Sequence, residues 1–425
     1  MHDGGPLRPG PIGSNVVDMT RRPTIAVALD GAGWHPAAWR DPSALPADLF
    51  SRRYWRDLVQ FAERAEVDFV TIEDALGLQS ATLWSSDDRT DQVRGRLDAL
   101  LIASFLAPVT SRIGLVPTVT TTHTEPFHVA TGLQTLDFAS RGRAGWRPQL
   151  SGSPHEAAHF GRRTVPPVDV EALLSGDSEQ IRAGFDEARD VVEVVRRLWD
   201  SWEDDAIIRD AATGRFIDRE KIHGAEFSGE WFDVKGASIV PRSPQGQPLV
   251  AVLAHQTIPY ELAATSADLV FVTPHDDAQS VSILAEVREA EARTGRTGRA
   301  LSVLAEVLVV LESTPAAARA ALERLDERNG SPVASDALVF AGTPEQLLER
   351  IHGWTALGYD GVRIRPARLP RDLEQLAEWV LPALPRADAA GATLRERLGF
   401  ELPENRYTAA AAGGAAAART NEEVA

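Results

Sequence analysis

Short apolar, β-branched runs alternate along the chain with longer stretches in which apolar positions recur every three or four residues. The runs Thr24–Leu29, Asp68–Ile72, Arg112–Val116, Leu249–Leu253, Asp268–Val272, Leu301–Val310 and Gly361–Ile364 are predicted as strands. A further short strand is expected around Ala144–Trp146. Helical periods separate them at Tyr54–Glu66, Leu97–Leu106, His128–Phe138, Ile181–Trp202, Val281–Arg293, Pro315–Arg328 and Pro344–Leu357. Strand then helix, repeated about eight times, is what a parallel sheet requires, and the count favours a closed (β/α)8 barrel of the TIM type over an open α/β sheet. One interval breaks the rhythm. Ser201 to Gln247 is rich in charge, Gly and Pro and holds no strand–helix unit, which predicts a long insertion on the strand-to-helix side, where the binding loops of a barrel sit. The barrel is expected over residues 21–407, between a Gly/Pro-rich tail at 1–20 and an Ala/Gly-rich tail at 408–425, both expected to be disordered because they have little to bury.

Composition narrows the function classes. The 425 residues suffice for one large barrel or two ordinary domains, and 44% hydrophobic against 25% charged residues can bury a sizeable core. The net charge of −17, with 61 acidic and 44 basic residues and no Lys/Arg run longer than a pair, makes nucleic acid and anionic membrane poor partners. The absence of cysteine removes disulfides, thiolate nucleophiles and Cys-type zinc sites, and it fits a reducing compartment. No stretch approaches the roughly 20 apolar residues that span a bilayer. The first twenty residues lack the apolar core of a secretory signal, and Met19 offers an alternative start. A cytoplasmic protein is expected.

Four short constellations carry candidate chemistry. His155-Glu156-Ala157-Ala158-His159 satisfies H-E-x-x-H, the spacing that sets two imidazoles on one helix face for zinc. Ser-Gly-Ser-Pro before it and Phe-Gly-Arg-Arg after it leave room for barely two helical turns, and no third ligand is evident, so no metal is expected. His123-Thr124-Glu125-Pro126-Phe127-His128, following the strand at Ile113–Val116, has Pro126 suited to the first turn of a helix and Thr124 as a candidate cap; its plainer reading is a capping loop with a helix-start histidine. Ser140-Arg141-Gly142-Arg143-Ala144-Gly145-Trp146 is a Gly-rich turn entering a strand. Asp30-Gly31-Ala32-Gly33-Trp34-His35-Pro36-Ala37-Ala38-Trp39-Arg40 follows the first strand. There its glycines, tryptophans and histidine would line a barrel mouth; the plainer alternative is a core tryptophan pair beside a satisfied histidine.

Taken together, these segments resemble the luciferase-like monooxygenases, in the branch that includes nitrilotriacetate, dibenzothiophene sulfone and long-chain alkane monooxygenases. The resemblance runs from about Thr24 to Tyr407. It is carried by Gly31–Arg40, by Phe61-Ala62-Glu63-Arg64 with Asp68-Phe69-Val70 and Asp74, and by Arg112–Val116 with Thr121-Thr122 and Glu125–His128. Gly142–Trp146, Val192–Val195 through Leu198–Asp205, Arg242–Gly246 and Thr393–Gly399 continue it in order. The resemblance implies a two-component oxygenase: a separate flavin reductase supplies reduced FMN, which reacts with oxygen in a dry pocket to oxidise a small organic substrate. It implies that Asp74, Thr118 and Thr121 stand at strand ends beside the flavin ring, with Trp146, Arg147, Ser151, Phe185, Gln256 and Thr257 completing the cofactor site. His35 is implied on the substrate side as hydrogen-bond donor or acid/base, with the 201–247 insertion partly covering the pocket. A homo-oligomer is implied as well.

The departures from the family pattern cluster at the cofactor. After Gly-Trp the family continues with Asn, two valines, Thr and Ser; here stand Arg147-Pro148-Gln149-Leu150-Ser151, a guanidinium in place of a flavin-facing amide. The family's Arg-Tyr pair, whose phenol binds the flavin phosphate, is Gly184-Phe185 here. Its Gly-Ser-Ser phosphate cradle is Ala254-His255-Gln256-Thr257, and the Asn before Glu125 is Thr124. Each hydrogen bond lost to a charged phosphate is worth about 1.5–3 kcal/mol, and Arg147, Gln256 and Thr257 are the available substitutes. Two other functions stay open: a related hydride-transferring oxidoreductase using a deazaflavin, and a flavin-poor paralogue serving as a non-catalytic subunit or binding protein.

Overall fold

The computed structural model describes residues 22–80, 86–166, 178–385 and 391–408. Apart from Thr408, the two expected tails lie outside the described residues. Each barrel strand is a short run of buried, mostly apolar residues: β1 Thr24–Leu29, β2 Phe69–Ile72, β3 Gly114–Thr120 and β4 Gly145–Gln149. Two small hairpins follow, β5 Ile207–Asp210 with β6 Arg215–Ile217, and β7 Phe227–Ser228 with β8 Asp233–Val234. Then come β9 Leu249–Leu253, β10 Leu269–Val272, β11 Ser302–Leu311, β12 Leu338–Gly342 and β13 Gly361–Pro366.

All pairings among β1, β2, β3, β4, β9, β10, β11 and β13 are parallel, and the ring closes through β10 with β11 and through β13 with β1. This is the expected eight-stranded barrel, and the eight predicted strands are its staves. The ninth parallel strand, β12, was not predicted. β11 is ten residues long; Ser302–Ala305 pairs with β10, while Val307–Leu311 pairs with β12. β12 therefore continues the line of β10 beyond its C-terminal end and adds a rim to the mouth.

Helices cover the outside because their apolar residues recur on one stripe. Arg52–Arg64 is capped by Ser51, whose hydroxyl accepts the Tyr54 N–H, and it buries Tyr54, Trp55, Leu58, Val59 and Ala62. Pro344–Leu357 begins with a Thr343/Gln346 capping box and ends at Gly358 in the left-handed region. Thr257–Ser266, unpredicted because Pro259 interrupts a short and weak period, fills the place between β9 and β10. Among the described residues, no helix is long and apolar enough to cross a membrane.

The expected position of the 201–247 insertion is corrected by the chain order. It follows the helix Glu179–Asp200 and precedes β9, so it lies on the helix-to-strand side, at the end of the barrel opposite the mouth. Its anchors are there: Gln245 Nε2 donates to the Ala144 carbonyl at the foot of β4 (2.7 Å), and Arg242 reaches Asp200 (3.1 Å) and the Pro403 carbonyl (2.6 Å). It therefore does not cover the pocket. Among the described residues, the segments on the strand-to-helix side, at the mouth, are instead 73–80 and 86–98 after β2 and 150–166 after β4.

The foot of the lumen is apolar. Ala26, Phe69, Val116, Leu249 and Leu304 meet Leu394, Leu398 and Phe400 from the C-terminal segment, which plugs the barrel. Asp268 clasps this plug by binding Arg395 (3.1 Å) and Arg196 (3.0 Å) and accepting the Val250 N–H (2.9 Å).

Candidate active site

Side chains alternate in and out along each barrel strand. On β13 this turns Val362 and Ile364 outward to the helices and Arg363 and Arg365 into the lumen; on β11 it turns in Glu306, on β4 Arg147, on β3 Thr118 and on β2 Thr71. Above the apolar foot, the lumen is thus a layer of charge. Arg363 is fully buried and ion-pairs with both Glu73 and Glu306, while its Nε and Nη2 donate to Thr71 Oγ1 (2.9 and 2.7 Å). Arg365 binds the other oxygen of Glu306 and the carboxylate of Asp336, with Nη2 to Asp336 Oδ2 at 3.1 Å. Arg147 Nη1 lies 3.1 Å from Glu73 and donates to Thr118 Oγ1 (2.9 Å) and Gln149 Oε1 (2.8 Å). Buried charges persist only when paired and hydrogen-bonded. Burial disfavours the charge on Glu73, but Arg147, Arg363 and Arg365 outweigh it and hold its carboxyl below the ordinary range. The aromatic walls help: the Arg365 guanidinium lies 4.5 Å from the Trp34 ring centre and that of Arg363 4.9 Å from Phe271.

Asp336 enters from the rim, from the loop that leads into β12. Besides Arg365 it meets His255 Nε2 at 3.2 Å, and His255 Nδ1 faces Thr273 Oγ1 at 3.0 Å. Its carboxyl is held well below the usual range, burial notwithstanding, by His255 and Arg365. The same loop is tied to the segment after β1 by Asp326 of the helix Pro315–Asn329, whose Oδ1 accepts from Val333 N (2.7 Å) and faces His35 Nε2 (3.1 Å). Beside it opens a cleft of about 340 Å³ lined by Gly31–Pro36, Gln79, Arg89, Arg96 and Asn329. Gly33 is obligatory in its wall: φ is +128°, and a Cβ there would stand 2.2 Å from the Ala367 carbonyl oxygen.

The expected site residues fall into three groups. Thr118 and Arg147 meet in the lumen, joined by Gln149, whose Nε2 donates to the Asp74 carbonyl (3.0 Å) and whose own carbonyl accepts the Thr121 N–H (2.9 Å). The Asp74 carboxylate turns away to accept the Ala75 and Ala99 N–H groups (2.8 Å each), and burial raises its pKa. Ser151, at the end of β4, commits its hydroxyl to Glu156 (2.6 Å). On the neighbouring strand end, Gln256 and Thr257 are exposed at the start of the Thr257–Ser266 helix, with no side chain capping it. Phe185 is half-buried on the helix Glu179–Asp200, against the outer core.

Two residues stand apart. Trp146 lies outside the barrel wall, 6.4 Å edge-on from Trp199, with its Nε1 donating to the Val119 carbonyl (3.1 Å). His35 lines the cleft, but both nitrogens are engaged, Nδ1 accepting the Ala37 N–H (3.1 Å) and Nε2 facing Asp326; burial lowers its pKa, so the neutral ring donating to Asp326 is the favoured form. The start of one helix differs from expectation, and the shortness of another agrees with it. The helix Pro126–Ser140 is capped at Glu125 without a side-chain bond, not by Thr124, and H-E-x-x-H lies on a five-residue helix, Pro154–Ala158. Among the described residues, no three potential metal ligands are grouped.

Glu73, Glu306, Arg363, Arg365 and Asp336 were missed by the sequence reading. A lone Glu in the apolar run of β11 and two arginines two residues apart on β13 were the available signals.

A donor set of this kind suits a flavin. Arg147 Nε is buried with no partner, an open hydrogen-bond donor in the lumen, and the uncapped Thr257 helix start offers amides to a phosphate. Residues 32–361 match the family model of the luciferase-like monooxygenases. The chain is 30% identical to N-acetyl-S-(2-succino)cysteine monooxygenase of Bacillus subtilis (strain 168), over 90% of this chain and 98% of that one. It is 29% identical to nitrilotriacetate monooxygenase component A of Aminobacter aminovorans, over 88% and 95%. The crystal structure of a long-chain alkane monooxygenase superposes with a TM-score of 0.79 at 23% identity, covering 92% of this chain and 99% of that one.

Proposed function

The chain belongs to the luciferase-like monooxygenases, and from that premise we propose that it is the oxygenase of a two-component system, using reduced FMN and molecular oxygen to oxidise a small organic substrate. The observation that carries this reading is the convergence of Arg147, Thr118 and Gln149 at the C-terminal end of the lumen, where barrel enzymes place their chemistry. When bound, reduced FMN supplies the electrons that activate oxygen. Arg147, Thr118 and Gln149 would hold the ring, and Gln256 and Thr257 with the amides behind them would hold the phosphate. Trp34, packed on Arg363 and Arg365, would help to keep water from the site. The cleft beside His35 receives the substrate, and His35 positions the β1 loop through Asp326; as a proton donor it would have to release that partner. The name "component A" of the nitrilotriacetate relative supports a separate reductase as the electron source.

The test is an anaerobic fluorescence titration of the purified protein with oxidised and with reduced FMN. Binding of the reduced form at a Kd of about 1 μM, roughly −8 kcal/mol, is the expected result. If neither form binds, the oxygenase reading fails and the flavin-poor subunit takes its place, a reading that draws on Ser151 being committed to Glu156 and on Phe185 lacking a hydroxyl.

A further inference from the structure

The charge inside the lumen does not balance on the strands themselves. Arg147, Arg363 and Arg365 face Glu73 and Glu306; the third carboxylate, Asp336, comes from the rim and is shared with His255. Glu73 in turn is shared between Arg147 and Arg363. The cation least compensated is Arg147, whose ion pair and hydrogen bonds all run through Nη1. Its Nε is buried without a partner, and the side-chain contacts that Arg147 makes among the described residues leave the adjoining Nη2 without a hydrogen bond. The Nε–Nη2 edge of a guanidinium is a rigid pair of parallel donors, matched to two adjacent acceptors that carry negative charge. Leaving the Nε of such an edge buried and unmet is costly, so its presence marks a place where a ligand completes it.

Resting on the flavin reading above, we propose that the free Nε–Nη2 edge of Arg147 recognises the anionic N1–C2=O edge of reduced flavin, and so makes the site selective for the reduced over the oxidised cofactor. Both redox forms carry the same phosphate, so a phosphate contact favours neither. Only the reduced ring bears the extra negative charge at that edge, so only its binding gains the full charge-assisted pair. A carboxylate on the substrate offers the same two-acceptor chemistry and is the rival source.

The experiment compares wild type, Arg147→Gln and Arg147→Lys by anaerobic titration with oxidised and reduced FMN, with succinate as a carboxylate competitor. Thermal melts with and without flavin report whether each variant is folded. Wild type should bind reduced FMN about 10- to 100-fold tighter than oxidised, the range of one charge-assisted bond. In Arg147→Gln that ratio should collapse while the oxidised affinity changes less than about threefold, and Arg147→Lys, which keeps charge but not the fork, should fall between. Each tenfold preference for the reduced form raises the midpoint potential of the bound flavin by about 30 mV, so Arg147→Gln should lower it, a readout that a merely structural role would not move. A folded Arg147→Gln that loses affinity for both forms equally overturns the proposal. So does an unchanged ratio with succinate displacing flavin from wild type alone, which would assign the fork to the substrate. If wild type binds neither form, it is the proposed function that has failed.

Discussion

The two ends of the lumen solve the problem of filling a barrel in opposite ways. At the foot, Leu394, Leu398 and Phe400 close an apolar plug, and Asp268, beneath it, has every oxygen met by Arg395, Arg196 and the Val250 N–H. At the mouth the filling is three arginines and their carboxylates, with two guanidinium Nε atoms, those of Arg147 and Arg365, buried and unmet. A replaced buried ion pair is often neutral or stabilising, so the mouth is a poor way to gain stability. The satisfied end is scaffold. The unsatisfied end is where the sequence gives up stability in exchange for a binding potential.

The largest effect is expected at the foot. Asp268→Asn leaves Arg395 and Arg196 facing an amide in a buried setting and should cost about 3–5 kcal/mol, read as a fall in the urea midpoint at constant slope. The clasp also predicts an acid limb. Burial opposes the charge on Asp268, but Arg395 and Arg196 outweigh it and hold its carboxyl at about 2. Against an unfolded value of about 3.9, this contributes roughly 2–3 kcal/mol. Because the folded value is the lower one, the contribution is complete above about pH 4 and disappears as pH falls through 2. Asp268→Asn should therefore show a flatter stability profile between pH 4 and 2 than wild type. An unchanged profile would mean that the foot is held by apolar packing alone.

Glu306→Gln comes next. Glu306 is fully buried and bridges Arg363 to Arg365, yet each keeps a second carboxylate, Glu73 and Asp336 respectively. The loss should be about 2–3 kcal/mol, at or below the lower end of the range for a broken buried pair. A loss as large as that of Asp268→Asn would make the mouth a structural element of the same kind as the foot.

Much of this contrast was readable before the structure, and the unread part has a physical reason. The eight staves are apolar, β-branched runs bounded by turns, and packing on both faces leaves them little freedom to be anything else. β12 escaped because Leu338–Gly342 is short and only half-buried, and the Thr257–Ser266 helix because Pro259 obscures its period. The 201–247 insertion has the composition of any surface excursion. Only its place after the helix Glu179–Asp200 decides that it lies at the foot. Thr118 and Arg147 were reached through the resemblance, but strict alternation already forbids Trp146 and Arg147 from facing the same way. Glu306, Arg363 and Arg365 were visible as charges in apolar strands. That they pair depends on β11 and β13 being neighbours, which is a property of the closed ring and not of any one segment.

The smallest effect on stability, and the sharpest for the comparison, is expected at the rim. Asp336 has a side chain 42% exposed, and both its partners have alternatives: Arg365 keeps Glu306, and His255 keeps Thr273 and solvent. Asp336→Asn should cost about 1 kcal/mol or less in stability, as a half-exposed pair does. It removes, however, the one carboxylate that brings the lumen to neutrality. The uncompensated charge should draw reduced FMN more tightly while leaving oxidised FMN nearly unchanged, a shift opposite in sign to that of Arg147→Gln. Measured by the same anaerobic titration, a tighter reduced form in Asp336→Asn and a weaker one in Arg147→Gln would mean that lumen charge sets the preference and that Arg147 aims it. If Asp336→Asn instead destabilises the fold as severely as Asp268→Asn, the rim is a second clasp, and the two ends of the lumen are alike after all.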